Sequence, residues 1–340
     1  MRPRFAELIE GLWKLDLMPL ALALILSLCL AYLGIKLLRR FVLGQTVREE
    51  GPQSHYKKSG TPTLGGLFFI IPTTLFAFYK FQMKVGTEIK LLAIACLLFG
   101  ILGLVDDLFK LYKDKGGLTV KQKTAVMTVL AIAIAFYYLY LGEQQAIFVM
   151  PLSNEVIKIT GLWRILYLIF SAVYIYFIVN AVNLTDGIDG LASSISVLVL
   201  LGAALFANFR YLPSELASAL TYFALILAST LIAFLFFNRH PAKVFMGDTG
   251  SLYIGAAIAL IYLYIGKPWL LLLIGFVYVL EALSVVIQVA YFKLSGGRRI
   301  FKMTPIHHHF ELSKWSENKI VVVFSVITVV GGVIGYLISY

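Results

Sequence analysis

The chain of 340 residues has little charge: 14% of it is Asp, Glu, Lys or Arg, where a soluble domain carries about 25%. With 60% hydrophobic residues and a mean hydropathy of +0.88, a soluble globular protein is excluded. Cysteine is almost absent. Cys29 and Cys96 both lie inside apolar runs, so there is neither a disulfide framework nor a thiolate metal site. Gly-x-Gly-x-x-Gly and Gly-x₄-Gly-Lys-Ser/Thr do not occur, which removes support for dinucleotide and P-loop chemistry. Repeats, low-complexity tracts and long polar insertions are also missing.

What the sequence has is long apolar runs, enough for about ten spans of ~20 residues each. They fall near 17–38, 64–80, 88–105, 120–142, 163–183, 188–208, 216–238, 250–266, 268–293 and 319–340. An all-α polytopic membrane protein with about ten transmembrane helices is expected, as one domain over 1–340. The first run is not followed by a small-residue cleavage site and reads as a span rather than a signal peptide. The net charge of +11 is therefore read as topology, not as affinity for nucleic acid. The loops 39–63, 106–119, 184–187, 239–249 and 294–318, with their flanks, hold most of the 29 Lys and Arg, which puts them in the cytoplasm and both termini outside.

Acids are few, 18 in all, and five of them crowd the ends of spans on that same side: Asp106, Asp107, Asp186, Asp189 and Asp248. An isolated Asp there is ordinarily a helix cap, but carboxylates at that depth are costly unless paired, solvated or bound to a cation. Asp106-Asp107-Leu108-Phe109-Lys110 places Asp106 and Lys110 on one helical face. Paired hard oxygen ligands beside a cation suit Mg²⁺ with a phosphate. Asn183-Leu184-Thr185-Asp186-Gly187-Ile188-Asp189-Gly190 is a turn whose glycines allow close approach to a ligand. Phe245-Met246-Gly247-Asp248-Thr249-Gly250-Ser251 opens a helix whose free N–H groups favour an anion. The Asn183-Leu184-Thr185 glycosylation sequon is set aside, because it falls on the cytoplasmic side.

Pro305-Ile306-His307-His308-His309-Phe310-Glu311 carries three consecutive histidines. Helical neighbours point about 100° apart and do not easily converge on one ion. With Arg298, Arg299 and Lys302 upstream, an anion-binding role fits better. Glu281 and Gln288, seven residues apart, share a face of the ninth span, where an ionisable residue suggests function or a buried hydrogen bond. Lys57, Lys58 and Thr63, with Pro62 and Gly65-Gly66, make a further basic, glycine-rich edge.

Together, Pro62-Thr63-Leu64-Gly65-Gly66, Asp106-Asp107 with Lys110, Asn180-Ala181-Val182-Asn183-Leu184-Thr185-Asp186-Gly187, the Phe245–Ser251 turn and the Pro305–Glu311 segment resemble the polyprenyl-phosphate N-acetylhexosamine-1-phosphate transferase superfamily over essentially the whole chain. The Pro-x-His-His-His-x-Glu form resembles its phospho-N-acetylmuramoyl-pentapeptide transferase family. That resemblance implies Mg²⁺-dependent transfer of phospho-N-acetylmuramoyl-pentapeptide from UDP-MurNAc-pentapeptide to undecaprenyl phosphate, giving lipid I and UMP. It further implies a homodimer, the bacterial cytoplasmic membrane, and a site on its cytoplasmic face.

By the same resemblance Asp248 is the Mg²⁺ ligand and Asp106 the candidate base for the lipid phosphate, with Asp107 and His308 completing the catalytic set. The resemblance also implies that Lys110, Lys123 and His308 contact phosphates or the nucleotide. Asn183, Asp186, Asp189 and Phe245 form the nucleoside pocket, and Lys57, Thr63, Asn180, Leu184, Gly187, Gln288, His307 and His309 are further substrate-binding candidates. A sister transferase using UDP-N-acetylglucosamine and a polytopic transporter are the alternatives. Against the transporter, the polar groups gather at one membrane face and no repeat is visible.

Overall fold

The computed structural model describes residues 16–40, 60–81, 87–112, 117–207 and 212–339. Among them ten helices of seven residues or more follow the ten apolar runs in order. They are α1 (Met18–Arg40), α2 (Leu67–Phe81), α3 (Thr87–Tyr112), α4 (Val120–Phe136), α5 (Trp163–Thr185), α6 (Leu191–Ala207), α7 (Ser214–Asn238), α8 (Gly247–Tyr264), α9 (Phe276–Leu294) and, after the short α10 (Ile306–Glu311), α11 (Glu317–Ser339). Seven are long and apolar enough to cross a membrane: α1, α3, α4 with its extension to Leu141, α5, α7, α9 and α11. The molecule is a polytopic membrane protein.

The other three are shorter or more polar at one end. The 15 residues of α2 span about 22 Å at 1.5 Å per residue, less than a ~30 Å hydrocarbon core. α6 is largely buried, and α8 is buried along nearly its whole length, as expected of a helix apolar all round. α8 is the central post, packed chiefly against α3 and α5. Two spans are less regular than hydropathy suggests. The fourth ends in a π-helical turn, Tyr137–Leu141, and the ninth begins with a 3₁₀ turn, Pro268–Leu272, where Pro268 and Gly275 interrupt the α pattern.

One feature has no hydropathy signal. Ile147–Val149 (β1) and Val156–Lys158 (β2) pair antiparallel, Phe148 opposite Ile157. β-branched residues flank a turn in which Leu152 and Asn154 take positive φ, 67° and 52°. The hairpin is fastened to the α8–α9 connection by the Val149 N–H donating to Gly266 O at 2.8 Å and by Trp269 Nε1 donating to Val149 O at 2.8 Å. Gly331 and Gly335, a small-residue pair open to helix packing, lie against Leu273 and Leu270 of the same chain.

The bundle's polarity is one-sided. The C-terminal ends of α3 and α5 and the N-terminal ends of α4 and α8 meet at one end, where α10 lies against the turn after α5 and bonds Glu281 of α9, and these segments carry most of the acids and bases singled out above.

Candidate active site

Asp106, Asp107 and Lys110 lie in the last two turns of α3. Lys123 lies in the first turn of α4, which starts at a capping box: Thr119 Oγ1 accepts from the Gln122 N–H, and Gln122 Oε1 accepts from the Thr119 N–H. Asn183 closes α5 and Asp248 opens α8. Asp106, Lys110, Lys123, Asn183 and Asp248 meet. Lys110 Nζ is 2.8 Å from Asp106 Oδ2 and donates to Asp248 Oδ2 at 2.9 Å; Lys123 Nζ donates to the same Asp248 oxygen at 2.6 Å and lies 3.8 Å from Asp106 Oδ2. Asn183 Nδ2 donates to Asp248 Oδ1 at 2.7 Å and to Ser251 Oγ at 2.8 Å, while Lys123 Nζ reaches Asn183 Oδ1 at 3.4 Å.

Asp107 has a different place. Its Oδ1 accepts from the Asp248 N–H at 3.1 Å, and its Oδ2 from the Thr249 N–H at 2.9 Å and Thr249 Oγ1 at 2.7 Å. It is fully buried and caps the first turn of α8 from a neighbouring helix, where unpaired N–H groups and the helix dipole favour an anion. Two glycines make this docking possible. A side chain on Gly103 would overlap the Asp248 backbone, and Gly247 turns at φ +71° beneath Asp107.

The Pro62–Gly66 segment lies along the approach to α8. Phe245 N–H donates to Pro62 O at 2.9 Å, and Gly65 and Gly66 N–H return bonds to Phe245 O and Met246 O at 2.9 and 3.0 Å. The Thr63 hydroxyl is buried beside Gly247 without a hydrogen-bond partner, so it is available to a ligand at that point. Asp186 follows Asn183 in the turn after α5. Desolvation, reinforced by the charges of Asp248, Asp107 and Asp189, holds its carboxyl well above the usual carboxylate range.

The other candidates are bonded as follows. Asn180 Nδ2 donates to Tyr176 O in its own helix, and the half-buried Leu184 packs on the core. Gln288 Oε1 accepts from the Ile300 and Phe301 N–H groups at 3.1 and 2.9 Å, anchoring the loop before the histidines. The three rings go to three partners: His307 Nδ1 to Glu281 Oε2 at 3.0 Å, His308 Nδ1 to Glu311 Oε2 at 2.7 Å, and His309 Nδ1 to the Lys302 N–H at 3.1 Å. Gly187 lies against His307. Lys57 and Lys58 lie outside the described residues.

Two clusters bear on metal binding. Asp106, Asp248 and the Asn183 amide oxygen present hard oxygen donors around a position that two ammonium groups fill, which is the donor chemistry and charge a Mg²⁺ site requires. Sequence reading missed the second, Asp189, His240 and Glu317, whose ligand atoms lie within 4.8 Å of one another. It is already an internal strap: Asp189 Oδ2 meets His240 Nδ1 and the Ala242 N–H, each at 3.0 Å, and the Asp189 N–H donates to Glu317 Oε2 at 2.9 Å. Only Asp189 carried a local motif, so nothing in the sequence paired it with His240 and Glu317.

Residues 89–266 match Glycosyl transferase family 4. A phospho-N-acetylmuramoyl-pentapeptide-transferase of Clostridium beijerinckii is 43% identical over 323 residues, covering 94% of this chain and 95% of the relative. One from Clostridium perfringens is 45% identical over 319 residues (92% and 95%), and one from Listeria monocytogenes 41% over 320 residues (92% and 95%). With identities above 40% and near full-length coverage on both sides, the chain belongs to the phospho-N-acetylmuramoyl-pentapeptide transferase family, within glycosyl transferase family 4.

Proposed function

We propose that this protein transfers phospho-N-acetylmuramoyl-pentapeptide from UDP-MurNAc-pentapeptide to undecaprenyl phosphate, releasing UMP and forming lipid I, at the cytoplasmic face of the bacterial cytoplasmic membrane and with Mg²⁺. The observation that carries it is the meeting of Asp106, Asp248, Asn183, Lys110 and Lys123 at one end of a membrane bundle. One substrate is water-soluble and doubly phosphorylated while the other is lipid-anchored, so the chemistry must lie where water meets bilayer. The five side chains supply there a concentrated set of anion- and cation-binding groups.

Asp248 holds Mg²⁺, with Asp106 and Asn183 in reach of the same position. When bound, the metal neutralises charge on the diphosphate and on the departing UMP. Lys110 and Lys123, already at that point, bind phosphate oxygens as fixed positive charges. Thr63 offers its unpartnered hydroxyl beside Gly247. Phe245, half-buried at the turn, offers a ring to the uracil, and Asp186, in the turn after α5, is the second candidate for the nucleoside. Asp106 takes any proton remaining on the lipid phosphate. An oxygen of that phosphate then attacks the sugar-bearing phosphorus, and the bond to the UMP oxygen breaks.

Direct attack is favoured over an aspartyl-phosphate intermediate. Every carboxylate oxygen of Asp106, Asp107 and Asp248 already accepts a hydrogen bond or ion pair, which lowers its nucleophilicity. A phosphorylated Asp trapped from the sugar nucleotide in the absence of lipid would overturn this. A homodimer belongs to the same reading, and the mass of the purified protein in detergent tests it.

The test of function is UMP release by purified protein given undecaprenyl phosphate and either UDP-MurNAc-pentapeptide or UDP-N-acetylglucosamine, with Mg²⁺ or with excess chelator. Metal-dependent release from the muramoyl substrate alone is expected. Release only from the other sugar nucleotide would make the chain a sister transferase.

A further inference from the structure

Glu281 is an ionisable residue in the second turn of the apolar helix α9, fully buried, a position that membrane proteins keep only for a defined partner. Its partner is His307, equally buried on α10. Glu281 Oε2 is 3.0 Å from His307 Nδ1 and also accepts from the His307 backbone N–H at 3.4 Å. Two polar atoms of the pair have no partner: Glu281 Oε1 and His307 Nε2. The second has a direction. A side chain placed on Gly187 would overlap Nε2, so this nitrogen faces the turn that follows Asn183 and α5 and begins at Asp186.

We propose that Glu281 is a positioning residue for the transfer reaction: its carboxylate fixes the His307 ring so that Nε2 is held against the 186–190 turn as a hydrogen-bonding group for the sugar nucleotide. The inference rests on the function proposed above. With Nδ1–H donated to the carboxylate in a charge-assisted hydrogen bond, the ring cannot rotate, and Nε2 stays at one position against the turn. A buried nitrogen without a partner, aimed into a substrate turn, is the expected state of a group whose partner arrives with the ligand. The polar stripe of α9 thus holds the histidine segment at two points: Gln288 fixes the backbone at Ile300 and Phe301, and Glu281 fixes the first ring.

The experiment is a double-mutant cycle on the full-length protein in detergent. UMP release is measured against UDP-MurNAc-pentapeptide concentration for wild type, Glu281→Gln, His307→Gln and the double variant, and melting temperature is followed with and without UDP. Glu281→Gln keeps an acceptor for Nδ1–H but removes the charge, and is expected to lower kcat/KM at least tenfold while leaving the melting temperature within about two degrees. UDP should stabilise it less than wild type. In the His307→Gln background the same change should cost less than twofold, because Glu281 acts through that ring.

Losses that multiply, or a Glu281→Gln protein with wild-type kinetics, would overturn the proposal. If Glu281→Gln does not fold, Gly187→Ala replaces it in the cycle. It crowds Nε2 without touching Glu281, and a full loss in the His307→Gln background would then be the overturning result. Wild type that releases no UMP from either sugar nucleotide refutes the function reading. If that protein is also not stabilised by UDP, the positioning proposal falls with it; UDP stabilisation that is lost in Glu281→Gln and in His307→Gln, with no further loss in the double variant, would uphold the positioning of His307 by Glu281 for nucleotide binding and overturn only its link to the transfer reaction.

Discussion

Two neighbouring carboxylates on α3 do different work. Asp107 holds three donors of the first turn of α8, whereas Asp248, which that turn presents, faces two lysines that stay partly exposed. Asp107→Asn puts an amide N–H₂ against backbone N–H groups, and hydrogen bonds to a charged group contribute about 1.5–3 kcal/mol. We expect a lower melting temperature, with activity falling because α8 loosens. Asp248→Asn leaves Lys110 its contact with Asp106 and should keep the melting temperature while lowering metal-dependent UMP release by about 10²–10³-fold, the scale of losing one group aligned on developing charge. Thermal unfolding and initial rates on the two variants separate these outcomes, and equal melting temperatures would remove the capping role of Asp107.

Lys267, buried between α8 and the 3₁₀ turn with Nζ donating to Asn154 Oδ1 at 3.1 Å, is another residue whose surroundings decide its behaviour. Desolvation lowers its pKa from 10.5 to about 8. Below pH 8 both folded and unfolded chains hold the proton, and the folded state bears the full cost of a buried charge. Between pH 8 and 10.5 the folded chain releases the proton while the unfolded chain keeps it, so stability rises with pH across that window. The melting temperature of wild type relative to Lys267→Met should therefore increase from pH 8 to 10, and a flat difference would refute the shift.

At the scale of elements, the site depends on how closely α3 and α8 approach. Gly103 lies under the Asp248 backbone, so Gly103→Ala must push the first turn of α8 away from Asp107. Overpacking of this kind costs about 1–3 kcal/mol, and a displacement near 1 Å can lower the rate ~10²-fold. Melting temperature and UMP release should fall together, and wild-type values in both would show that the helices yield without disturbing the site. This contact was not legible in the sequence, because a glycine among apolar residues of a span has the same pattern whether or not another backbone crosses it.

The helices themselves were legible, since ~20-residue apolar runs separated by polar turns admit little else. So were the acids, whose cost in a membrane demands a reason. The hairpin was not, because three-residue strands fall below the length at which hydropathy speaks. Nor was the division of labour between Asp106 and Asp107, adjacent in sequence and bonded to different elements. Glu281 was visible as an anomaly, but its partner, 26 residues away, required the fold.

For the whole molecule, the gathering of charge at one end of the bundle becomes a statement about orientation. The exposed Arg299 belongs to the loop anchored by Gln288 at that end. The exposed Ser153 belongs to the hairpin fastened to the C-terminal end of α8, opposite the turn that carries Asp248. If excess Lys and Arg set topology, the Asp248 end faces the cytoplasm, where a UDP-linked substrate is made, and the hairpin faces outward. With Cys29 and Cys96 replaced by Ser and Ala, Ser153→Cys should react with a membrane-impermeant thiol reagent on intact cells, whereas Arg299→Cys should react only after the membrane is opened. The reverse pattern would place the charged end outside, deny the site its soluble substrate and overturn the transferase orientation. Equal labelling of both positions in intact cells would mean that the bundle does not hold a single orientation.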